Sequence, residues 1–273
     1  MQLKPKKRLG QNFLTDKNIQ RKIIAACGLK SSDIVLEIGA GRGELTTLIA
    51  PMVKRVYALE LDRGLASQLK EVFRACRNVK IITADVLKFD LKKLGDGSIF
   101  SKKIEPSPCF KVIGNIPYYI TTPVIEKLIG FRDKIEAVFI TIQKEVALRI
   151  LSQPGSKDFG SLSCFLQYYT EPKILFPITK GCFWPQPKVN SCFLKLEIRP
   201  KPLIKVKDEA LLFRIIRLAF NQRRKILRNS LSGIVSEAKL TYFFNTYKIN
   251  PNTRPEGLCL EDFANLAKIM SHP

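Results

Sequence analysis

The sequence predicts an α/β protein: a parallel, doubly wound sheet followed by a small all-helical domain. Three observations predict it. From Asp33 to Gln143, short runs rich in Val, Ile and Phe alternate with amphipathic stretches, the pattern of strands joined by crossover helices. Gly-rich or acidic residues stand at the ends of those runs, where an open α/β sheet binds ligands. Beyond Pro200 and Pro202 the periodicity turns helical.

Taken in order, the expected strands are Ile34–Ile38, Val56–Leu61, Val79–Thr83, Phe110–Gly114 and Ala137–Ile142. Each is bounded by turn residues and enriched in side chains that suit a pleated, buried surface. Leu45–Val53 and Leu65–Cys76 have the apolar spacing of connecting helices. Leu91–Cys109 is dominated by Lys, Gly, Ser and Pro and reads as a surface loop. Lys173–Ile178 and Ser191–Ile198 extend the sheet in antiparallel fashion. Helices follow at Asp208–Phe220, Arg223–Ile234, Lys239–Tyr247 and Leu260–Ile269. The expected division is a catalytic domain over 1–200, with a basic arm and a ligand motif in 1–20, and a helical RNA-binding domain over 201–273.

Composition narrows the function. The chain has 273 residues, 45% of them hydrophobic, enough for a substantial core. Its 46 Lys and Arg against 24 Asp and Glu give a net charge of +22, which calls for a polyanionic partner, nucleic acid before membrane. The apolar runs are far too short to span a bilayer. No apolar stretch follows Lys4, Lys6, Lys7 and Arg8 to make a signal peptide. The seven Cys include no C-x-x-C pair and read as reduced thiols of a cytoplasmic protein without a metal site. The single His is His272, beside the C-terminus. Triad, Cys–His and His–metal mechanisms therefore lack their imidazole.

Glu37-Ile38-Gly39-Ala40-Gly41-Arg42-Gly43 follows a strand and opens a helix. Glycines there let main-chain N–H groups approach a ligand. The spacing G-x-G-x-G differs from the G-x-G-x-x-G of a dinucleotide pyrophosphate site. Glu60 ends the next strand, where a carboxylate can accept two ribose hydroxyls, and Asp85 ends the one after, where it can accept an adenine amine. Three such positions on consecutive strands fit an adenosyl group.

Asn115-Ile116-Pro117-Tyr118 closes the fourth strand. The exocyclic amine of adenine is a poor nucleophile because its lone pair is delocalised into the ring. The Asn115 side-chain oxygen and the Ile116 carbonyl can hold that amine by its hydrogens and turn the lone pair outward. Pro117 stiffens the turn, and Tyr118 offers a ring face to an extruded base. Methylation acidifies the nitrogen, so no imidazole base is needed.

These motifs resemble, in order and spacing, those of the ribosomal RNA adenine N6,N6-dimethyltransferases, in particular the bacterial small-subunit enzymes. Leu9-Gly10-Gln11-Asn12-Phe13-Leu14, Glu37 to Thr46, Leu59 to Asp62, Ala84-Asp85-Val86 and Asn115 to Tyr118 match successive motifs. Phe183-Trp184-Pro185-Gln186-Pro187-Lys188-Val189 and Phe220-Asn221-Gln222-Arg223-Arg224-Lys225 match two later ones. The resemblance implies a Rossmann-like S-adenosylmethionine-dependent methyltransferase sheet. It implies that Gln11, Asn12, Leu14, Gly39, Gly41, Glu60, Asp85, Val86 and Asn115 contact the cofactor or frame its pocket, and that Tyr118 and Phe183 sandwich the target adenine. The implied substrate is a pair of adjacent adenosines in the 3′-terminal hairpin loop of small-subunit rRNA, each dimethylated by a monomeric enzyme. Asn190 departs from the Asp, and Tyr119 from the Asn, that bacterial members usually carry.

No acid occurs between Ala210 and Ser236, a stretch that holds Arg214, Arg217, Arg223, Arg224, Lys225 and Arg228. Arg223, Arg224, Lys225 and Arg228 are expected to contact RNA phosphates. Other readings meet specific residues. DNA adenine methyltransferases carry Pro where Ile116 stands; large-subunit resistance methyltransferases favour Phe over Tyr118. An assembly factor without catalysis has no use for intact Gly39, Glu60, Asp85 and Asn115, and a dehydrogenase would need the other glycine spacing.

Overall fold

In a computed structural model, residues 4–94 and 109–271 are described. Most of the expected Leu91–Cys109 loop, 95–108, and His272 lie outside the described residues. The elements run β1 (Phe13–Leu14), α1 (Lys17–Ala26), β2 (Ile34–Ile38), α2 (Glu44–Ile49), β3 (Arg55–Glu60), α3 (Arg63–Val72), β4 (Val79–Thr83) and β5 (Phe110–Asn115). Then come α4 (Thr121–Gly130), β6 (Ile135–Gln143), α5 (Lys144–Leu151), α6 (Ser161–Tyr169), β7 (Thr170–Ile178), β8 (Phe183–Trp184) and β9 (Ser191–Ile198). Four helices complete the chain: α7 (Glu209–Asn221), α8 (Leu227–Leu231), α9 (Glu237–Tyr247) and α10 (Leu260–Met270).

Seven strands form one sheet in the order β4-β3-β2-β5-β6-β9-β7. The pairs β2–β3, β3–β4, β2–β5 and β5–β6 are parallel, and β9 is antiparallel to β6. Every residue of β2 is buried, as expected of a central strand covered on both faces. Chain order reverses between β2 and β5, so the loops leaving their carboxyl ends diverge and open a crevice. Asp16 and Asp62 cap α1 and α3 by accepting main-chain N–H groups. The expected helix Leu45–Val53 stops at Ile49 and tightens into a 3₁₀ turn through Pro51, where proline lacks the N–H that an α-turn requires. Glu37, buried in β2, accepts the Thr46 hydroxyl at 2.5 Å, and burial pushes its pKa up to about 8.

β1 and β8 form a separate two-residue antiparallel ladder. Leu14 of β1 pairs with Phe183 of β8, and Phe13 with Trp184. Contacts divide the chain into Met1–Ala147 with Lys173–Ile198, and Leu148–Pro172 with Arg199–Pro273. Thus α6 groups with the C-terminal helices, although the sequence reading placed it in the first domain. Within that second unit, Tyr168 and Tyr169 both donate to Glu209 on α7, at 3.2 and 2.6 Å.

The helix expected at Arg223–Ile234 is shorter. Gln222–Lys225 forms a turn, closed by Lys225 N–H on the Gln222 carbonyl at 2.8 Å. α8 begins only at Leu227, whose N–H goes to the Thr253 carbonyl. Leu227 and Leu231 are fully buried, so packing fixes the short helix while the basic residues before it stay on the turn.

Candidate functional site

One cavity gathers the carboxyl ends of β2, β3, β4 and β5 against the segment leading into β1. Of the residues expected at the cofactor, Gln11, Asn12, Gly39, Gly41, Glu60, Asp85, Val86 and Asn115 line it; of those expected at the base, Ile116, Pro117 and Tyr118 do. Gly39 has φ +76°, and a Cβ there would come within 3.4 Å of the Asn115 carbonyl oxygen. That positive φ suits glycine, at the point where the turns after β2 and β5 come into van der Waals contact. Gly41, at φ +59°, has the Phe13 ring 3.2 Å from where its Cβ would be.

The polar groups of the cavity are held by hydrogen bonds within the protein. Glu60 Oε2 accepts the Gly41 N–H at 2.8 Å and Oε1 the Asp62 N–H at 2.8 Å. Burial holds this carboxyl above its ordinary value, and the two N–H donors offset part of that. Each oxygen keeps a second acceptor position, so the group suits a pair of vicinal hydroxyls. Asp85 Oδ1 accepts the Leu87 N–H at 2.9 Å, leaving Oδ2 for a ligand. The Asn115 amide donates through Nδ2 to the Asn12 carbonyl at 2.9 Å, which leaves Oδ1 as the acceptor. The Tyr118 hydroxyl lies 2.5 Å from Ser191 Oγ, and burial raises its pKa despite that bond. Tyr118 therefore stays a neutral phenol.

Leu14 and Phe183 do not line the cavity. They are 4% exposed, belong to the apolar core and face each other across the β1–β8 ladder. Alternation along β8 turns Phe183 inward and Trp184, 48% exposed, outward. Several side chains in and around the cavity were given no cofactor or base role by the sequence. Tyr119 lines the rim and is 62% exposed. Lys6, read as part of a free basic arm, instead pairs with the buried Asp62 at 2.8 Å, and its main-chain N–H donates to Gln11 Oε1. That ties the segment carrying Gln11 and Asn12 to the end of β3. The Arg42 guanidinium sits over the Phe13 and Trp184 rings, 4.5 and 5.1 Å from their centroids. Such couplings depend on residues far apart in the chain.

The family model described as "Ribosomal RNA adenine dimethylase" matches residues 2–272. The chain belongs to that family. A protein named ribosomal RNA small subunit methyltransferase A from Moorella thermoacetica is 41% identical over 99% of this chain and 94% of its own length. A protein of the same name from Caldanaerobacter subterraneus subsp. tengcongensis is 40% identical over 98% of each chain. Among solved structures, a dimethyladenosine transferase from Plasmodium falciparum superposes with a TM-score of 0.74 at 25% identity, covering 93% of this chain and 95% of that one. The 23S rRNA methyltransferase ErmE shares the fold, with a TM-score of 0.71 at 22% identity over 96% and 100% of the two chains.

In this rRNA adenine dimethylase the expected phosphate-binding residues divide into two kinds. Arg223 donates to the carbonyls of Lys157 and Phe159 at 2.6 and 2.8 Å, and Arg228 pairs with Glu237 at 3.0 Å. Both are half-buried, whereas Arg224 and Lys225 are exposed on the turn before α8, and Arg214 and Arg217 are exposed on α7. The cations of the basic stretch therefore do not share one helical face. Among the described residues, no helix is long and apolar enough to cross a membrane.

Proposed function

We propose that this adenine dimethylase transfers methyl groups from S-adenosylmethionine to N6 of two adjacent adenosines in the 3′-terminal hairpin loop of small-subunit rRNA, yielding N6,N6-dimethyladenosine. The observation that carries the reading is the fixed amide of Asn115: with Nδ2 bound to the Asn12 carbonyl, its oxygen is the group presented to an incoming amine. The names of the small-subunit relatives support the substrate, and the net charge of +22 suits an RNA partner. Such a substrate puts the work in the cytoplasm.

The residues present fit the cofactor. Gly39 and Gly41 line the cavity without putting a side chain into it, Glu60 can take the ribose hydroxyls, Asp85 the adenine amine, and Val86 supplies an apolar wall. When bound, S-adenosylmethionine supplies an electrophilic methyl group on a cationic sulfur. The chain contributes orientation. Asn115 Oδ1 and the Ile116 carbonyl accept the two hydrogens of the target amine, and Tyr118 presents its ring to the base. Holding those hydrogens in fixed places aligns the nitrogen lone pair with the methyl group, an effect of positioning rather than of acid–base chemistry. Tyr118, a neutral phenol engaged with Ser191, does not act as a base; the proton of the methylated nitrogen leaves to water. Arg224 and Lys225, exposed on their turn, contact phosphates.

Incubation of unmethylated small subunits with methyl-labelled S-adenosylmethionine, followed by mapping of the modified bases, tests the proposal. Label confined to two adjacent adenosines of the 3′-terminal loop is the expected outcome. Label elsewhere in the small-subunit rRNA, or none, refutes it.

A further inference from the structure

We propose that Ser191 is a positioning residue for methyl transfer, fixing the ring of Tyr118 against the sheet; this rests on the reading of Tyr118 as the surface that receives the target base. The two residues lie 73 positions apart, yet the Tyr118 hydroxyl and Ser191 Oγ meet at 2.5 Å. Tyr118 opens a short 3₁₀ turn, Tyr118–Ile120, with no buried residue.

Ser191, by contrast, is immobilised from several sides. It is fully buried as the first residue of β9, opposite Gln143 of β6. Its neighbour Asn190 receives the Lys144 N–H on its carbonyl and the Lys180 N–H on Oδ1, both at 3.0 Å. The same strand β6 aligns Thr141 with Asn115 of β5 on one side and with Phe193 of β9 on the other. Asn115 and Ser191 are therefore anchored to one rigid three-strand block. The Tyr118 hydroxyl closes the loop between them, so the sheet, rather than the turn, sets the ring relative to the Asn115 amide. A hydroxyl committed to Ser191 also leaves only the ring face for the base. Asn190, the departure from the usual Asp, keeps the oxygen that the Lys180 N–H needs.

The test is a double-mutant cycle on methyl transfer to unmethylated small subunits, with Ser191→Ala, Tyr118→Phe, their combination and Tyr118→Ala. Either single change removes the same bond, and Tyr118→Phe does so without touching β9, so a folding defect in one variant does not hide the result. Loss of one hydrogen bond predicts a fall in kcat of about five- to tenfold for each single variant. KM for the subunit should change little and cofactor Kd should stay at the parent value. The combined variant should be no slower than the worse single one, as expected of residues that act as one unit. Losses that multiply in the combined variant overturn the proposal. So does parental kcat in both Ser191→Ala and Tyr118→Phe while Tyr118→Ala is impaired. Parental turnover in Tyr118→Ala instead removes Tyr118 from the base site, and the underlying reading falls with the proposal.

Discussion

The cavity at the carboxyl edge of the sheet and the basic turn before α8 both draw on short stretches of sequence, but they use them differently. At the cavity, Glu60, Asp85 and Asn115 are each held by main-chain hydrogen bonds and each keep acceptor capacity for a ligand. At the turn, adjacent cations part company: Arg223 is bound to two carbonyls, while Arg224 is exposed. Under the proposed function, the difference follows from what each region would recognise. An adenosyl group and an amine demand fixed acceptors in fixed directions, and every residue that supplies one is constrained. Phosphate attraction is long-ranged and tolerant of position, so a basic stretch can divide its cations between holding the chain and holding RNA.

The contrast is sharpest at Asn115. Asn115→Ala removes the oriented acceptor, and kcat on unmethylated subunits should fall by about a thousandfold, the scale of losing one preorganised polar group. The fold and RNA binding should persist. Retention of even a tenth of parental turnover would break the account of the cavity.

Phe183 tests the border between the two kinds of role. Its ring is buried in the core, so Phe183→Ala should lower stability by about 3–5 kcal/mol, visible as a large drop in melting temperature. A variant that keeps its melting temperature but loses activity would return Phe183 to the base.

Smaller effects are expected from the carboxylates proposed to hold the cofactor. Glu60→Ala and Asp85→Ala each remove a charged acceptor, worth about 1.5–3 kcal/mol, or roughly ten- to a hundredfold in S-adenosylmethionine affinity by calorimetry. Unchanged affinity in both folded variants would remove the adenosyl group from this pocket.

The basic turn should give the mildest response. Arg224→Gln with Lys225→Gln should flatten the slope of log affinity against log salt by about 1.4–1.8. Arg223→Gln should leave the slope nearly unchanged and instead lower the melting temperature, because it strands the carbonyls of Lys157 and Phe159. Equal slopes for parent and the Arg224/Lys225 variant would make the exposed cations a solvated surface and nothing more.

By itself the sequence determined the parallel core of the sheet and the edge at which the cavity lies. β-branched runs bounded by turns mark buried strands whatever their partners, and the glycines, acids and Asn115 report local main-chain demands that any neighbour must respect. It could not determine which way Phe183 faces, because a two-residue strand has no periodicity to read and only its ladder with β1 sets the alternation. Nor could it separate Arg223 from Arg224, Lys6 from its neighbouring cations, or pair Ser191 with Tyr118. Each of those depends on a partner 56 to 73 residues away, and side-chain type carries no record of which distant group the folded chain brings within hydrogen-bonding reach. Tertiary structure alone makes that choice, since packing the apolar faces of strands and helices fixes the backbone first and leaves the polar side chains to find what is then nearby.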